Sequence, residues 1–332
     1  ILSPSQIGVL RQTISGPLII FPLLMLGLNS ASLKYYPKLV DNKPLFQSFF
    51  SFVLIVPIVL GVICSLIYYF NMDSLALSLG YKDEASKFAW TLIPVAFIFS
   101  YNNVLSVLLD NLLKVEITGF FNNVWFRIIQ LCAALLYSFD ILSFKLVVIF
   151  SISALVVQSV YYIYIFIKET GLKLSFNFSF FKADIFKETV VYSLFSALNS
   201  GGSFIVQNID IVMTSSLLGL DSTGIYSTAY FIAVIIEMPR RAVSKTITPI
   251  ISAEMKDGDF ENVQLKYKQS SMVLFIMGGL LLILLSVNLD PLFQIIPNGD
   301  KFVAGKWVIV IVGLAKVYDL LWSVNAEILN LS

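Results

Sequence analysis

Histidine is absent from the 332 residues, cysteine occurs twice, and charged side chains make up only 13% of the chain. Without imidazole there is no histidine general base, no histidine phosphate carrier and almost none of the usual catalytic zinc arrangements. Cys64 and Cys132 sit inside apolar runs, where a thiol stays protonated and inert, and no spacing suggests a disulfide or a metal pair. The charges balance, 22 Lys and Arg against 21 Asp and Glu, which excludes the electrostatic footprint of a nucleic-acid partner. What fills the chain instead is hydrocarbon: 58% of residues are hydrophobic, with 28 Phe and 15 Tyr, and the mean hydropathy is +0.85. Soluble domains run near about 45–50% apolar and about 25% charged, so a soluble fold is excluded and an all-α polytopic membrane protein is expected.

A helix needs about 20 apolar residues to cross a hydrocarbon core ~30 Å thick. Nine stretches qualify, near 12–33, 46–70, 88–112, 118–138, 143–167, 188–217, 222–251, 268–289 and 305–330. Strands of a membrane barrel would alternate over about ten residues, a pattern these runs do not follow. The loops after the first, third, fifth and seventh stretches hold eleven lysines (34, 38, 43, 114, 168, 173, 182, 187, 256, 266 and 268), against five in the opposite loops (82, 87, 145, 301 and 306). The positive-inside rule places the richer set in the cytoplasm. Every loop is short; the longest, at 168–188, reads as a central cytoplasmic connector, so the chemistry is expected to lie in the bundle. The chain starts at Ile1 without a basic leader and stops within a helical pattern, EILNLS, which reads as a fragment of a longer protein.

A shift of about 216 residues lays SPSQIGVL (3–10) on LDSTGIYS (220–227), Gly8 on Gly224 and Asp41 on Asp257. The pattern suggests two copies of a six-span unit, an even number that preserves orientation. The expected division is an N-terminal bundle at 1–187, lacking its first helix, and a C-terminal bundle at 188–332, truncated at its end.

Charge within a bilayer is costly, roughly 2.5–3.5 kcal/mol per residue, so one-sided polar stripes in these spans are candidate sites. Ser196, Asn199, Ser203, Gln207, Asp210 and Thr214 repeat at intervals of three and four and share one helix face. In the next span Glu237, Arg240, Arg241, Ser244, Lys245 and Thr248 share a side; Glu237 stands four residues before Arg241, as an i,i+4 pair would. Lys316, Asp319, Ser323, Glu327 and Asn330 line a third. Lysines near helix ends also snorkel to headgroups, and polar residues also join helices, so Lys245 and Asp210 each admit both a structural and a functional reading. Arg240 and Arg241 stand more than two turns from either end of 222–251 and read as cavity residues. Arg11, Arg127 and Asp110 read as interface or pairing residues, Asp110 with Lys114. The aromatic runs at 65–70 and 160–166 read as lipid-facing belts, or alternatively as a wall for sugars.

The run QNIDIVMTSSLLGLDSTGIYSTAYFIAVIIEMPRRAVSKTITPIISAEMKDGDFENVQLKYKQSS resembles the seventh and eighth helices of the polysaccharide-biosynthesis flippases. These are the Wzx-type O-unit translocases of the multidrug/oligosaccharidyl-lipid/polysaccharide exporter (MATE-like) superfamily; the matching residues are Asp210, Gly219, Gly224, Tyr226 and Pro249. SPSQIGVLRQTISGPLIIFPLLMLGLNSASLKYYPKL is similar to the family's second helix and basic exit loop, and NLDPLFQIIPNGDKFVAGKWVIVIVGLAKVYDLLWSVNAEIL to a later hairpin. The resemblance implies a two-bundle transporter of 12–14 helices in the bacterial inner membrane. It further implies flipping of polyprenyl-pyrophosphate-linked oligosaccharide for O-antigen, capsule or exopolysaccharide, with membrane lipids and a coupling H+ or Na+ as further partners. Guanidinium groups suit phosphate oxygens, which makes Arg240 and Arg241 the expected headgroup contacts, with Glu237 limiting their charge and Asn199 to Asp210 meeting sugar hydroxyls. Lys245, Lys316 and Asp319 complete the expected cavity; no cofactor or metal is expected. A cation-coupled drug exporter of the same superfamily would instead favour acidic and aromatic cavity residues. A membrane glycosyltransferase or polymerase would need a larger catalytic loop than any here, so a non-enzyme is expected.

Overall fold

A computed structural model of the chain describes residues 2–81, 83–171, 180, 184–322, 325 and 328. Regular structure among them is entirely helical. Seven helical stretches are long and apolar enough to cross a membrane, and the 72-residue one, Ile185–Lys256, contains two of the nine expected spans. The ninth is represented by Lys306–Leu321. The connector at 168–188 falls largely outside the described residues, as do Ser323, Glu327 and Asn330. The described residues form two compact units, 1–223 and 224–332.

The first span starts earlier than its hydropathy suggested. Helix α1 runs Pro4–Met25 because Ser3 and Gln6 form a reciprocal capping box, with Pro4 at the first helical position. It stops at Leu26 and Gly27, both left-handed with φ of 43° and 71°, and α2 (Leu28–Leu39) follows as a short helix carrying Lys34 and Lys38. Helices α3 (Lys43–Phe70), α4 (Met72–Ser78), α5 (Asp83–Ser86) and α6 (Leu92–Asn111) come next, with a 3-10 turn at Ala89–Thr91 before α6. Then α7 (Val115–Phe120) and α8 (Phe126–Ser138) are joined without a break by a π-helical turn, Phe121–Trp125. Helix α9 (Phe144–Thr170) precedes α10 (Asp184–Ala233), which is interrupted at Gly219, where φ is +83°.

The core of the first unit is aromatic. Phe50 stacks on Phe166 with centroids 4.5 Å apart, Phe49 meets Phe180 edge-on, and Phe21 of α1 touches Phe204 of α10. The expected aromatic belts are split: Tyr69, Phe70, Tyr161 and Tyr164 are exposed, whereas Tyr68 and Tyr162 turn inward, where Tyr68 donates to the Ala89 carbonyl at 2.9 Å. A polar latch ties α1 to the turn after α4 and to α10. The Gln12 amide donates to the Leu79 carbonyl, Tyr81 donates to the Gln12 carbonyl at 3.3 Å, and Ser215 donates to the Gly80 carbonyl at 2.7 Å. Burial pushes the Tyr81 phenol above its ordinary range, which keeps it a hydrogen donor.

In the second unit a 3-10 turn, Val234–Glu237, leads into α11 (Met238–Lys256), and α12 (Phe260–Val287), α13 (Leu289–Ile295), a 3-10 segment at Gly299–Gly305 and α14 (Lys306–Leu321) follow. The expected span 222–251 is therefore not one straight helix. Pro239 cannot donate a backbone bond, and the chain tightens just before it. Helices α12 and α14 approach closely through glycine: a Cβ on Gly278 would stand 2.3 Å from Leu320, and one on Gly313 would meet Leu282 and Ile236.

The element series of the first unit recurs in the second. Helices α3 and α12 both have 28 residues, α4 and α13 both have 7, and each pair is offset by 217 residues. Asn42 and Asp259 cap the N-termini of α3 and α12 through their side chains, and Asn71 and Asn288 terminate them. Buried positions share the register: Phe46, Val53, Pro57 and Gly61 in α3 against Val263, Ser270, Leu274 and Gly278 in α12. In α6 and α14 they are Leu92, Ala96 and Ser100 against Ile309, Gly313 and Val317. The repeat is thus structural as well as sequential, one residue longer over this region than the initial 216-residue alignment.

Gly27 tests the α1–α2 break. A Cβ there would lie 2.1 Å from the Ser193 carbonyl oxygen, on a left-handed backbone. Gly27→Ala is expected to cost about 1–3 kcal/mol, read as a lower midpoint in thermal unfolding of the detergent-solubilised protein. An unchanged midpoint would mean that α10 does not pack at this junction.

Candidate functional site

The second unit holds one intramembrane ion pair among the candidate residues. Glu237, at the end of the 3-10 turn, meets Lys316 of α14 at 2.8 Å, with side chains 23% and 20% exposed. The expected pairing of Glu237 with Arg241 is not formed. The 3-10 turn and Pro239 displace the carboxylate from a regular i,i+4 relation, and Lys316 from the neighbouring helix takes it instead. Arg240 is half-buried and Arg241 exposed, and neither makes an ion pair among the described residues. Both sit in the first turn of α11, close to the helical junction and not in the middle of an uninterrupted span. Lys245 and Asp319 are exposed.

Asn199, Gln207 and Asp210 belong to the first unit, on α10. Asn199 and Gln207 are exposed and Asp210 is half-buried, its Oδ1 accepting from the Ile211 amide at 2.8 Å. The opposite face of this helix, with Ser193, Ile211 and Ser215, is buried. Within their units the structure brings only Glu237 and Lys316 of the nine candidates into ion-pair contact. Asp110 and Lys114 also part company. Helix α6 ends at Asn111 and Leu113 turns left-handed, so Lys114 pairs with Glu169 at 3.1 Å while Asp110 accepts from Thr118.

Sequence reading missed a cavity of about 250 Å³ inside the first unit. Its polar wall comes from Asn102, Asn103 and Ser106 of α6, Asn122 of the π turn and Gln158 of α9; phenyl rings, among them Phe99 and Phe121, supply much of the rest. Asn102 is fully engaged, donating to the Leu155 carbonyl at 3.0 Å and accepting from Ser159 at 2.7 Å. Gln158 donates to Asn122 at 2.9 Å and to the Tyr162 hydroxyl at 3.1 Å, and Asn122 donates to Ser106 at 3.0 Å. Asn103 differs, because its buried Oδ1 has no hydrogen-bond partner. The signal was present in the sequence as FIFSYNNVLSVLLDN and FNNVW, two paired asparagines inside apolar runs, but carboxamides without charge do not stand out from helix-joining polar residues.

These features define a multi-pass helical membrane protein with an internal repeat, a partly paired ionic cluster in one copy and a carboxamide-lined cavity in the other. The family described as polysaccharide biosynthesis protein matches residues 1–255. The chain belongs to that family, the family of the Wzx-type polysaccharide-biosynthesis flippases in the MATE-like superfamily. Comparison with curated proteins and with solved structures finds no match.

The ion pair yields a direct test. Glu237→Gln and Lys316→Met are each expected to destabilise by about 1–2 kcal/mol, less than for fully buried pairs because about a fifth of each side chain is exposed. The exchange Glu237→Lys with Lys316→Glu should recover most of the loss in thermal unfolding. Additive losses in the exchanged protein would show that the two groups are not coupled.

Proposed function

We propose that the protein flips polyprenyl-pyrophosphate-linked oligosaccharide from the cytoplasmic to the outer leaflet of a bacterial inner membrane, for assembly of surface polysaccharide. Membership of the family supports a role in polysaccharide biosynthesis. The observation that carries the finer reading is the charge state of the α11 junction. Glu237 is engaged by Lys316, so Arg240 and Arg241 retain their full positive charge. A diphosphate is an anion whose oxygens accept paired hydrogen bonds, and two adjacent guanidinium groups offer the donors in matching geometry.

In this reading Arg240 and Arg241 attract the headgroup, and Lys245 extends the cationic stripe towards the polar end of α11. Lys316 and Asp319 contribute the facing side of α14. The carboxylate of Glu237 serves to hold Lys316, in place of the role first expected of it, quenching the arginines. Asn199, Gln207 and Asp210 contact sugar hydroxyls along α10. We assign the two bundles of the transporter to 1–187 and 188–332, and we assign to the protein no bond-making step.

The test measures leaflet sidedness. Protein in liposomes with a fluorescent polyprenyl-pyrophosphate oligosaccharide should expose the inner-leaflet pool to an outer-leaflet quencher. Arg240→Ala with Arg241→Ala should slow that exposure by about tenfold or more, while the paired Lys substitutions, which keep charge but lose the planar fork, should fall between. Unchanged flipping in the double alanine variant would remove these residues from the site. A pool that stays protected with wild-type protein, alongside export of organic cations, would replace the substrate class by drugs.

A further inference from the structure

We propose that the cavity of the first unit is a binding site for one neutral sugar ring. The proposal rests on the flippase reading and deepens it: the ring would belong to the oligosaccharide whose diphosphate end the arginines attract.

Three observations select this chemistry. The first is charge: no Lys, Arg, Asp or Glu lines the cavity. An organic cation or a phosphate would enter without a counter-charge, at the high cost of an unpaired ion in a low-dielectric interior. The second is the mixture of walls. A purely apolar ligand would leave carboxamides facing hydrocarbon, each unpaired group costing about 1–3 kcal/mol. A sugar ring answers both kinds of wall at once, with hydroxyls on its rim for the amides and an apolar face of C–H groups for phenyl rings such as Phe99 and Phe121. The third is size. At about 250 Å³ the space is below the ~300 Å³ at which drug-sized pockets begin, which leaves room for a single ring and excludes a lipid tail or an extended chain.

The polar groups are prepared to different degrees. Asn102 is committed to Leu155 and Ser159 and acts as a strut, while Gln158, Asn122, Ser106 and Tyr162 hold one another in a chain. That chain fixes the amide orientations before a ligand arrives. Asn103 Oδ1 is buried on the cavity wall with its accepting capacity unused, and is the acceptor a sugar hydroxyl would meet. The π turn at Phe121–Trp125 brings both an aromatic and an amide, Phe121 and Asn122, to the wall, and Trp125 is pinned by donation to the Ala154 carbonyl at 3.0 Å. Such wide turns inside helices recur at functional sites.

The experiment is saturation-transfer NMR on the purified protein in lipid nanodiscs with glucose, galactose and N-acetylglucosamine as probes. At least one should receive saturation from wild-type protein, and Asn103→Leu should weaken that binding by about tenfold. Arg240→Ala with Arg241→Ala should leave it unchanged. If Asn103→Leu does not elute as a monodisperse protein, Asn103→Ala removes the same acceptor with less bulk. No saturation of any of the three sugars by wild type, or equal saturation by wild type and the Asn103 variants, overturns the sugar site and leaves a water-filled cavity. The flipping measurement on the same preparations separates the two claims. Sugar binding lost at Asn103 with wild-type flipping absent defeats the transport reading alone, and flipping without any sugar binding defeats only this site.

Discussion

The bilayer interior offers no water to a polar atom, so every such atom that enters must bring its partner with it. Most of what is distinctive in this chain follows from that constraint. Gln12 enters the first span fully buried and reaches the Leu79 carbonyl; Asn102 enters α6 and spans to α9; Glu237 carries a charge into the second unit and finds Lys316. Each of these bonds connects elements far apart in sequence. Hydrophobic packing alone would leave helix–helix orientation weakly specified, since lipid tails are as apolar as leucine, and the polar contacts fix which faces meet.

The internal repeat shows what was free to change under that constraint. Buried positions keep their register across 217 residues, and the capping and terminating asparagine or aspartate residues are retained. Interior polarity has diverged. Asn102 of α6 corresponds to Asp319 of α14, and Phe99, a wall of the neutral cavity, corresponds to Lys316, which carries the ion pair. One copy therefore concentrates uncharged donors and acceptors where the other concentrates charge. A lipid-linked oligosaccharide has the same two chemistries in one molecule, hydroxyls at one end and diphosphate at the other. Duplication followed by divergence supplies both without altering the packing that the two copies share.

Much of the fold was legible in the sequence because the signals were long and additive. Runs of about 20 apolar residues located the helical spans, and the polar stripe on α10 marked a face that the structure leaves uncovered at Asn199 and Gln207. The errors were local. Hydropathy averages over a window and cannot see a capping box, so α1 was displaced by a turn or more; the left-handed pair Leu26 and Gly27 and the tight turn before Pro239 are single-residue events that a window smooths away. The ion pair was misassigned for a related reason. Spacing of four along one helix predicts a partner only where the helix is regular, and at Glu237 it is not. The carboxamide cavity was illegible because its members come from three separate stretches of chain and only folding brings them together.

The same accounting bears on the choice between oligosaccharide and organic cation as cargo. A cation exporter needs a carboxylate whose negative charge faces the transport path and is not already neutralised. Glu237, the acid deepest in the second unit's candidate cluster, is committed to Lys316. The cavity of the first unit is lined by amides, a hydroxyl and phenyl rings, with no acid among them. The half-buried Asp210 accepts from the amide of its own next residue, and Asp319 is exposed one turn from Lys316. Placed against these, Arg240 and Arg241 are the charges without an ion-pair partner among the described candidates, and their sign is positive. Electrostatics and cavity chemistry together favour a molecule with a neutral hydroxylated part and an anionic part, the composition of a diphosphate-linked sugar.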